Sequence, residues 1–178
     1  MERSKQSKIR KAVNFMIDAH DGQYRKFSGK EYAWHPVEVS KIVREHKHSK
    51  NKEDICIAAL LHDTVEDCDV TLKDIEDEFG SEVSSMVEQL TSDSSKISKM
   101  GKADYLLHKM LEMSSYALVI KLADRLHNCS DLDKGSENFR EKYTTETRYI
   151  IDGLYQRKLS DTHKNLIMLI NDKISKFE

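Results

Sequence analysis

The sequence predicts an all-α fold, and three observations carry that reading. Apolar residues recur at the helical period along almost the whole chain. Its 178 residues include one proline and six glycines, too few turn-formers for a strand-rich protein. The longest apolar run, Ile55-Cys56-Ile57-Ala58-Ala59-Leu60-Leu61, ends in strong helix formers.

Taken in order, Ile9, Ala12, Val13, Met16 and Ile17 stand at i, i+3, i+4, i+7 and i+8 and predict a first helix with one buried stripe. Gly22 and Gly29 mark irregular structure around residues 23–34. Pro36 suits the first turn of a helix, which Val39, Ile42, Val43 and His46 continue. The run 55–61 reads as a helix buried all round, with a buried strand as the alternative for so short a stretch. Thr71 is placed to cap the next helix, with Asp74 as the capping-box acid and Val70 and Ile75 as a hydrophobic staple. Gly80 fits its stop. Val83, Met86, Val87 and Leu90 give a further stripe. Residues 91–102 are rich in Ser and Lys and predict a mobile loop. Leu106, Leu107, Met110 and Leu111 resume a helix, residues 116–129 form another, and 139–154 and 162–174 close the chain. Trp34, the only tryptophan, is expected in the core.

Composition narrows the function. Lys and Arg total 29 against 31 Asp and Glu, a formal charge of −2. A nucleic-acid binder needs a basic excess to displace counterions, so that class is not expected. No apolar run approaches the roughly 20 residues of a membrane span, and residues 1–11 lack the apolar region of a secretory signal. Three cysteines without a C-x-x-C pair suggest neither a disulfide framework nor a thiolate zinc site, so a cytoplasmic location is expected. The length suits one domain spanning residues 1–178.

Three places concentrate metal-ligand residue types: His35 before Pro36, His62-Asp63 at the end of the apolar run, and Asp124 among Leu122, Ala123 and Leu126. A carboxylate beside an apolar core is costly unless it is paired or holds a cation. Glu66 and Asp67 follow His62 and Asp63 by four residues and share their face if the helix continues; Asn128 bears the same relation to Asp124. A bound divalent cation relieves such crowding most simply. The alternative is ordinary capping by Asp63 and pairing of Asp124 with Lys121 or Arg125. His20, His46, His48, His108, His127 and His163 read as surface or capping histidines.

The order H…HD…D resembles the signature of HD-type metal-dependent phosphohydrolases. Longer stretches resemble a narrower group, the RelA/SpoT-type alarmone hydrolases. They are Gly22-Gln23-Tyr24-Arg25-Lys26-Phe27-Ser28-Gly29 with Tyr32 and His35-Pro36, then Ala58-Ala59-Leu60-Leu61-His62-Asp63-Thr64-Val65-Glu66-Asp67, then Phe79-Gly80, then Lys121-Leu122-Ala123-Asp124-Arg125-Leu126-His127-Asn128. The resemblance runs from about Phe15 to about Ile170 and is to the small, stand-alone members of the group.

That resemblance implies a compact HD-domain bundle of about ten short helices, in some members with one small hairpin. It implies Mn²⁺ held by His35, His62, Asp63 and Asp124, a donor set that also suits Zn²⁺. Glu66 and Asp67 would orient or deprotonate the attacking water. Arg25, Lys26 and Asn128 would contact a guanosine nucleotide. The implied reaction removes the 3′-pyrophosphate of guanosine tetra- or pentaphosphate, leaving GDP or GTP. Glu31 and Ala33-Trp34 depart from the group's usual entry motif and bear on base specificity. Two other readings stay open at this point: a phosphatase acting on NADPH or another nucleotide at the same site, and a catalytically silent nucleotide sensor.

Overall fold

A computed structural model describes residues 7–177. It contains α1 (Lys8–Ala19), α2 (Trp34–His46), α3 (Lys52–Leu61), α4 (Thr64–Asp67), α5 (Leu72–Phe79), α6 (Ser81–Leu90), α7 (Ser94–Met100), α8 (Lys102–Glu112), α9 (Ser115–Cys129), α10 (Glu137–Leu154) and α11 (Asp161–Ile174). The all-α expectation holds. Among the described residues the β pairing amounts to one antiparallel bridge, Tyr24 to Glu31. It closes a tight loop in which Arg25 N–H donates to Lys30 O at 2.8 Å and Tyr32 N–H to Gln23 O at 2.8 Å. Gly29, at φ +65°, makes the reversal that L side chains resist. This loop is what stands in place of the expected hairpin.

Two helices form the inside. Every residue of α3 from Ile55 to Leu61 is buried, as a helix apolar on all sides must be. It packs against α1, α2, α6 and α9. Helix α9 also packs on α2, α6 and α11, and buries Leu118, Val119, Ile120, Leu122 and Ala123. The stripe on α1 is narrower than its sequence suggests: Ala12 and Met16 are buried, while Ile9 and Ile17 remain 38% and 47% exposed.

Local signals set the ends. Thr71 and Asp74 form the reciprocal capping box that starts α5. Ser160 and His163 form a second one at α11, and the other ring nitrogen of His163 donates to Ser115 O at 2.9 Å, tying α11 to α9. Arg157 donates to the carbonyls of Met110, Leu111 and Met113, which a helix end would otherwise leave bare.

Residues 91–102 are not a loop. Asp93 accepts from the N–H groups of Ser95 and Lys96 and starts α7, a short helix with no buried residue. Its polar composition reflects solvent exposure of every residue but Ile97, which packs half-buried against the core, rather than irregular backbone. The lead-in is pinned as well: Glu66 accepts from Ser92 N–H, Tyr105 Oη from Asp93 N–H, and Thr91 O from Lys109 Nζ.

Helices α9 and α10 are joined through Arg125, whose side chain is buried. It donates to Thr147 Oγ1 at 2.7 Å and Glu146 Oε1 at 3.0 Å, and its guanidinium lies 5.1 Å over the Tyr143 ring. No helix among the described residues is long and apolar enough to cross a membrane.

Candidate metal centre

Helices α2, α3 and α9 meet at one place. His35 sits in the first turn of α2, beside Pro36. His62 is the residue at which α3 stops, and Asp124 lies on α9. One donor atom each from His35, His62 and Asp124 lies within 4.8 Å of the other two, and all three residues are buried. Asp63 completes the group: its Oδ2 stands 2.9 Å from His62 Nε2 and 3.6 Å from His35 Nε2. Asp124 Oδ1 is 3.2 Å from His35 Nε2 and 3.8 Å from His62 Nε2.

The chain breaks where the sequence leaves open a continuing helix. Between α3 and α4, Thr64 Oγ1 donates to Leu61 O at 2.8 Å, and Asp67 N–H donates to Asp63 O at 2.9 Å. The break turns Asp63 inward and leaves Glu66 and Asp67 exposed on α4. Two carboxylates, not three or four, therefore face the histidines. Glu66 is held by the Ser92 N–H at 2.7 Å. Partial burial, and then the charges of Asp63 and Glu66, push the Asp67 carboxyl above its usual range.

These residues fit a divalent cation. His62 Nδ1 donates to Ala59 O at 2.8 Å, which fixes the tautomer and turns the Nε2 lone pair inward. That Nε2 is buried and out of line for a hydrogen bond, even to nearby Asp63. Charge tells the same story. Burial works against a charged His62 ring, but Asp63 and Asp124 outweigh it and hold its pKa up to about 9. Burial would raise Asp124, yet Lys121 and the two histidines hold it well below the usual carboxylate range. The pocket thus favours positive charge at its centre. Two imidazole and two carboxylate donors suit a transition metal of the Mn²⁺ or Zn²⁺ kind.

Each donor is steered by a neighbour. Tyr32 Oη donates to Asp63 Oδ2 at 2.6 Å; burial and that carboxylate hold its phenol well above its ordinary pKa. Lys121 Nζ donates to Asp124 Oδ2 at 3.0 Å, and Asn128 Nδ2 to Asp124 Oδ1 at 2.7 Å. His35 Nδ1 lies 2.7 Å from His127 Nδ1. Burial and the neighbouring His35 push the His127 pKa down to about 4, so this ring is neutral at pH 7. Removing a partner of a metal-binding side chain commonly costs about 10–100-fold in affinity. Tyr32→Phe is expected to weaken cation binding about tenfold with the fold intact; isothermal titration with Mn²⁺ checks it.

Beside the donors lies a cleft of about 380 Å³. Arg25, Lys26 and Lys102 give it cationic lining, and Phe27, Phe139 and Tyr143 give it aromatic walls. The Phe27 and Phe139 centroids are 4.5 Å apart, and Phe139 stacks on Tyr143 at 5.7 Å. Tyr32 and Asn128 belong both to this lining and to the donor surroundings. Arg25 Nη2 donates to Asn128 Oδ1 and Asp131 Oδ2, each at 3.0 Å. Lys26 is exposed, with its ammonium 5.5 Å over the Phe27 ring.

Several expectations change here. Trp34 is 58% exposed rather than core, because His35 and Pro36 occupy the inward side of that first turn. Asp124 pairs with Lys121, while Arg125 faces α10. His127, read as an ordinary histidine, reaches His35; its i+3 spacing from Asp124 is the signal that puts it on this face. Tyr32, Lys102, Phe139 and Tyr143 carried no role in the sequence reading; the last three reach the cleft only through packing of α8 and α10.

Known proteins show the same pattern. The HD domain family matches residues 12–158. The human guanosine-3′,5′-bis(diphosphate) 3′-pyrophosphohydrolase MESH1 is 33% identical over 173 residues, covering 92% of this chain and 94% of that protein. A probable guanosine-3′,5′-bis(diphosphate) 3′-pyrophosphohydrolase from Synechocystis is 36% identical over 158 residues, 84% of this chain and 20% of that much longer protein. The solved structure of a metazoan ortholog of SpoT, described as hydrolysing ppGpp, superposes with a TM-score of 0.81 at 27% identity, covering 96% of each chain. The chain therefore belongs to the HD-domain family, within the SpoT-type branch that includes human MESH1.

Proposed function

We propose that this chain hydrolyses the 3′-pyrophosphate of guanosine tetra- or pentaphosphate, giving GDP or GTP and pyrophosphate. One observation carries the reading: a buried two-histidine, two-carboxylate cluster stands beside a cleft with both cationic and aromatic lining. Phosphates need the first and a nucleoside needs the second. The activity recorded for the human relative, similar over nearly its whole length, supports the choice of substrate.

In this proposal His35, His62, Asp63 and Asp124 hold Mn²⁺, with Zn²⁺ as the other candidate. When bound, such an ion supplies Lewis acidity toward a phosphoryl oxygen and lowers the pKa of water. The protein does the rest. Arg25 exchanges its contact with Asp131 for a phosphate or the base, and Lys26 and Lys102 offset further charge. Asn128 presents its amide at the junction of donors and cleft. Asp67, exposed beside the donors, accepts the proton of the attacking water at a carboxylate oxygen; Glu66 keeps α4 fixed against residues 91–93. Unpaired Cys56, Cys68 and Cys129 suit a reducing compartment, and we assign the enzyme to the cytoplasm.

The test is a product assay with Mn²⁺, offering ppGpp and NADPH in parallel and resolving products by chromatography. GDP with pyrophosphate from ppGpp is the expected result. Phosphate released from NADPH alone would overturn the substrate and keep the site. Nucleotide binding without turnover in the metal-loaded protein would favour a sensor.

A further inference from the structure

We infer that His127 is a positioning residue: its Nδ1 accepts a hydrogen bond from His35 Nδ1–H and so holds His35 Nε2 toward the cation. The inference rests on the metal site proposed above. It starts from the 2.7 Å separation of the two Nδ1 atoms. At that distance one of them must carry the proton and the other must accept it. Of the two His35 ring nitrogens, Nε2 is the one that faces the carboxylates, 3.2 Å from Asp124 and 3.6 Å from Asp63. If it is to ligate, its proton must sit on Nδ1, which makes His35 the donor and His127 the acceptor. His127 is then the Nε2–H tautomer.

The two metal-site histidines are oriented by different means. His62 Nδ1 donates to Ala59 O, a backbone acceptor supplied by its own helix. His35 sits in the first turn of α2, and the carbonyl three residues before it, Tyr32 O, takes its backbone N–H at 2.8 Å. The partner of its ring Nδ1 comes instead from α9, three residues after Asp124. The rings are 4.9 Å apart and tilted at 42°, so they do not stack. One helix thus provides both a donor for the cation, through Asp124, and the device that aims a second donor, through His127.

The experiment measures Mn²⁺ dissociation constants by chelator competition for the parent, His127→Phe and His127→Asn. Phe keeps the ring's bulk without an acceptor; the Asn amide oxygen lies close to where Nδ1 was. His127→Phe is expected to bind about 10–100-fold more weakly, with His127→Asn recovering most of the loss. Equal affinity of the Phe variant and the parent would overturn the inference, as would equal losses in Phe and Asn, which mark a packing effect. Failure of the parent itself to bind Mn²⁺ or Zn²⁺ would instead overturn the metal site. Nitrogen-15 NMR of the unmutated, Zn²⁺-loaded protein gives a check independent of folding in the variants. His127 as the Nε2–H tautomer and His35 as Nδ1–H are expected; the reverse on His127 refutes the assignment.

Discussion

Asp124→Ala is expected to abolish cation binding and turnover while the helices remain formed. Asp124 Oδ1 lies between the two histidines and also receives Asn128, while Oδ2 receives Lys121. Deleting the carboxylate removes one donor and frees another side chain that the donor had oriented. A three-donor remnant of His35, His62 and Asp63 loses at least about 100-fold in affinity, since loss of an outer partner alone costs 10–100-fold. Stability falls too. Lys121 is half-buried; burial works against its charge, but Asp124 and then Asp63 hold its pKa above normal. Without that partner the ammonium costs about 1–3 kcal/mol. Circular dichroism, thermal melts and Mn²⁺ titration separate the two effects. Full activity in the metal-loaded variant would refute the assignment of the site.

Glu146→Leu is expected to destabilise the fold strongly. Arg125 is buried between α9 and α10, and Glu146 is its charge partner at 3.0 Å. Removing one member of a buried pair leaves an uncompensated charge, at a cost of about 3–5 kcal/mol. Because Glu146 retains some contact with solvent, the lower end, about 3 kcal/mol, is the expected loss in urea unfolding. Arg125→Met combined with Glu146→Leu should recover most of it, because an apolar pair of similar volume avoids the desolvation cost. A double variant no more stable than the Glu146 single would refute the pairing argument. The single variant should also loosen Tyr143, which Arg125 covers, and so blunt the cleft wall.

The fold was legible because its signals are local. The apolar run at 55–61, the capping box at Thr71 and Asp74, and the stripe on α6 each need only a few neighbouring residues to be read. Residues 91–102 misled because a helix that half-buries a single residue, Ile97, has no stripe; its one signal was the Asp93 cap. At the site, the sequence named the residue types that demand a cation, but their meeting depends on α2, α3 and α9 converging, which spacing alone does not express. The motif resemblance supplied that link. It did not supply the break after His62, which divides Asp63 from Glu66 and Asp67 and decides which carboxylates face inward. Nor did it supply Phe139 and Tyr143, whose place in the cleft follows from how α10 lies against α8.

The Asn128 amide joins two sites in one chain of hydrogen bonds. Its oxygen takes Arg25 and its nitrogen gives to Asp124, and no flipped amide could serve a guanidinium and a carboxylate this way. A ligand that recruits Arg25 therefore acts on the same amide that orients Asp124. Thermodynamic reciprocity then binds the two events: whatever factor an occupied cleft contributes to holding the cation, the cation returns to the occupant of the cleft. A factor above one would make cation and occupant fill the protein together; a factor below one would make each weaken the other.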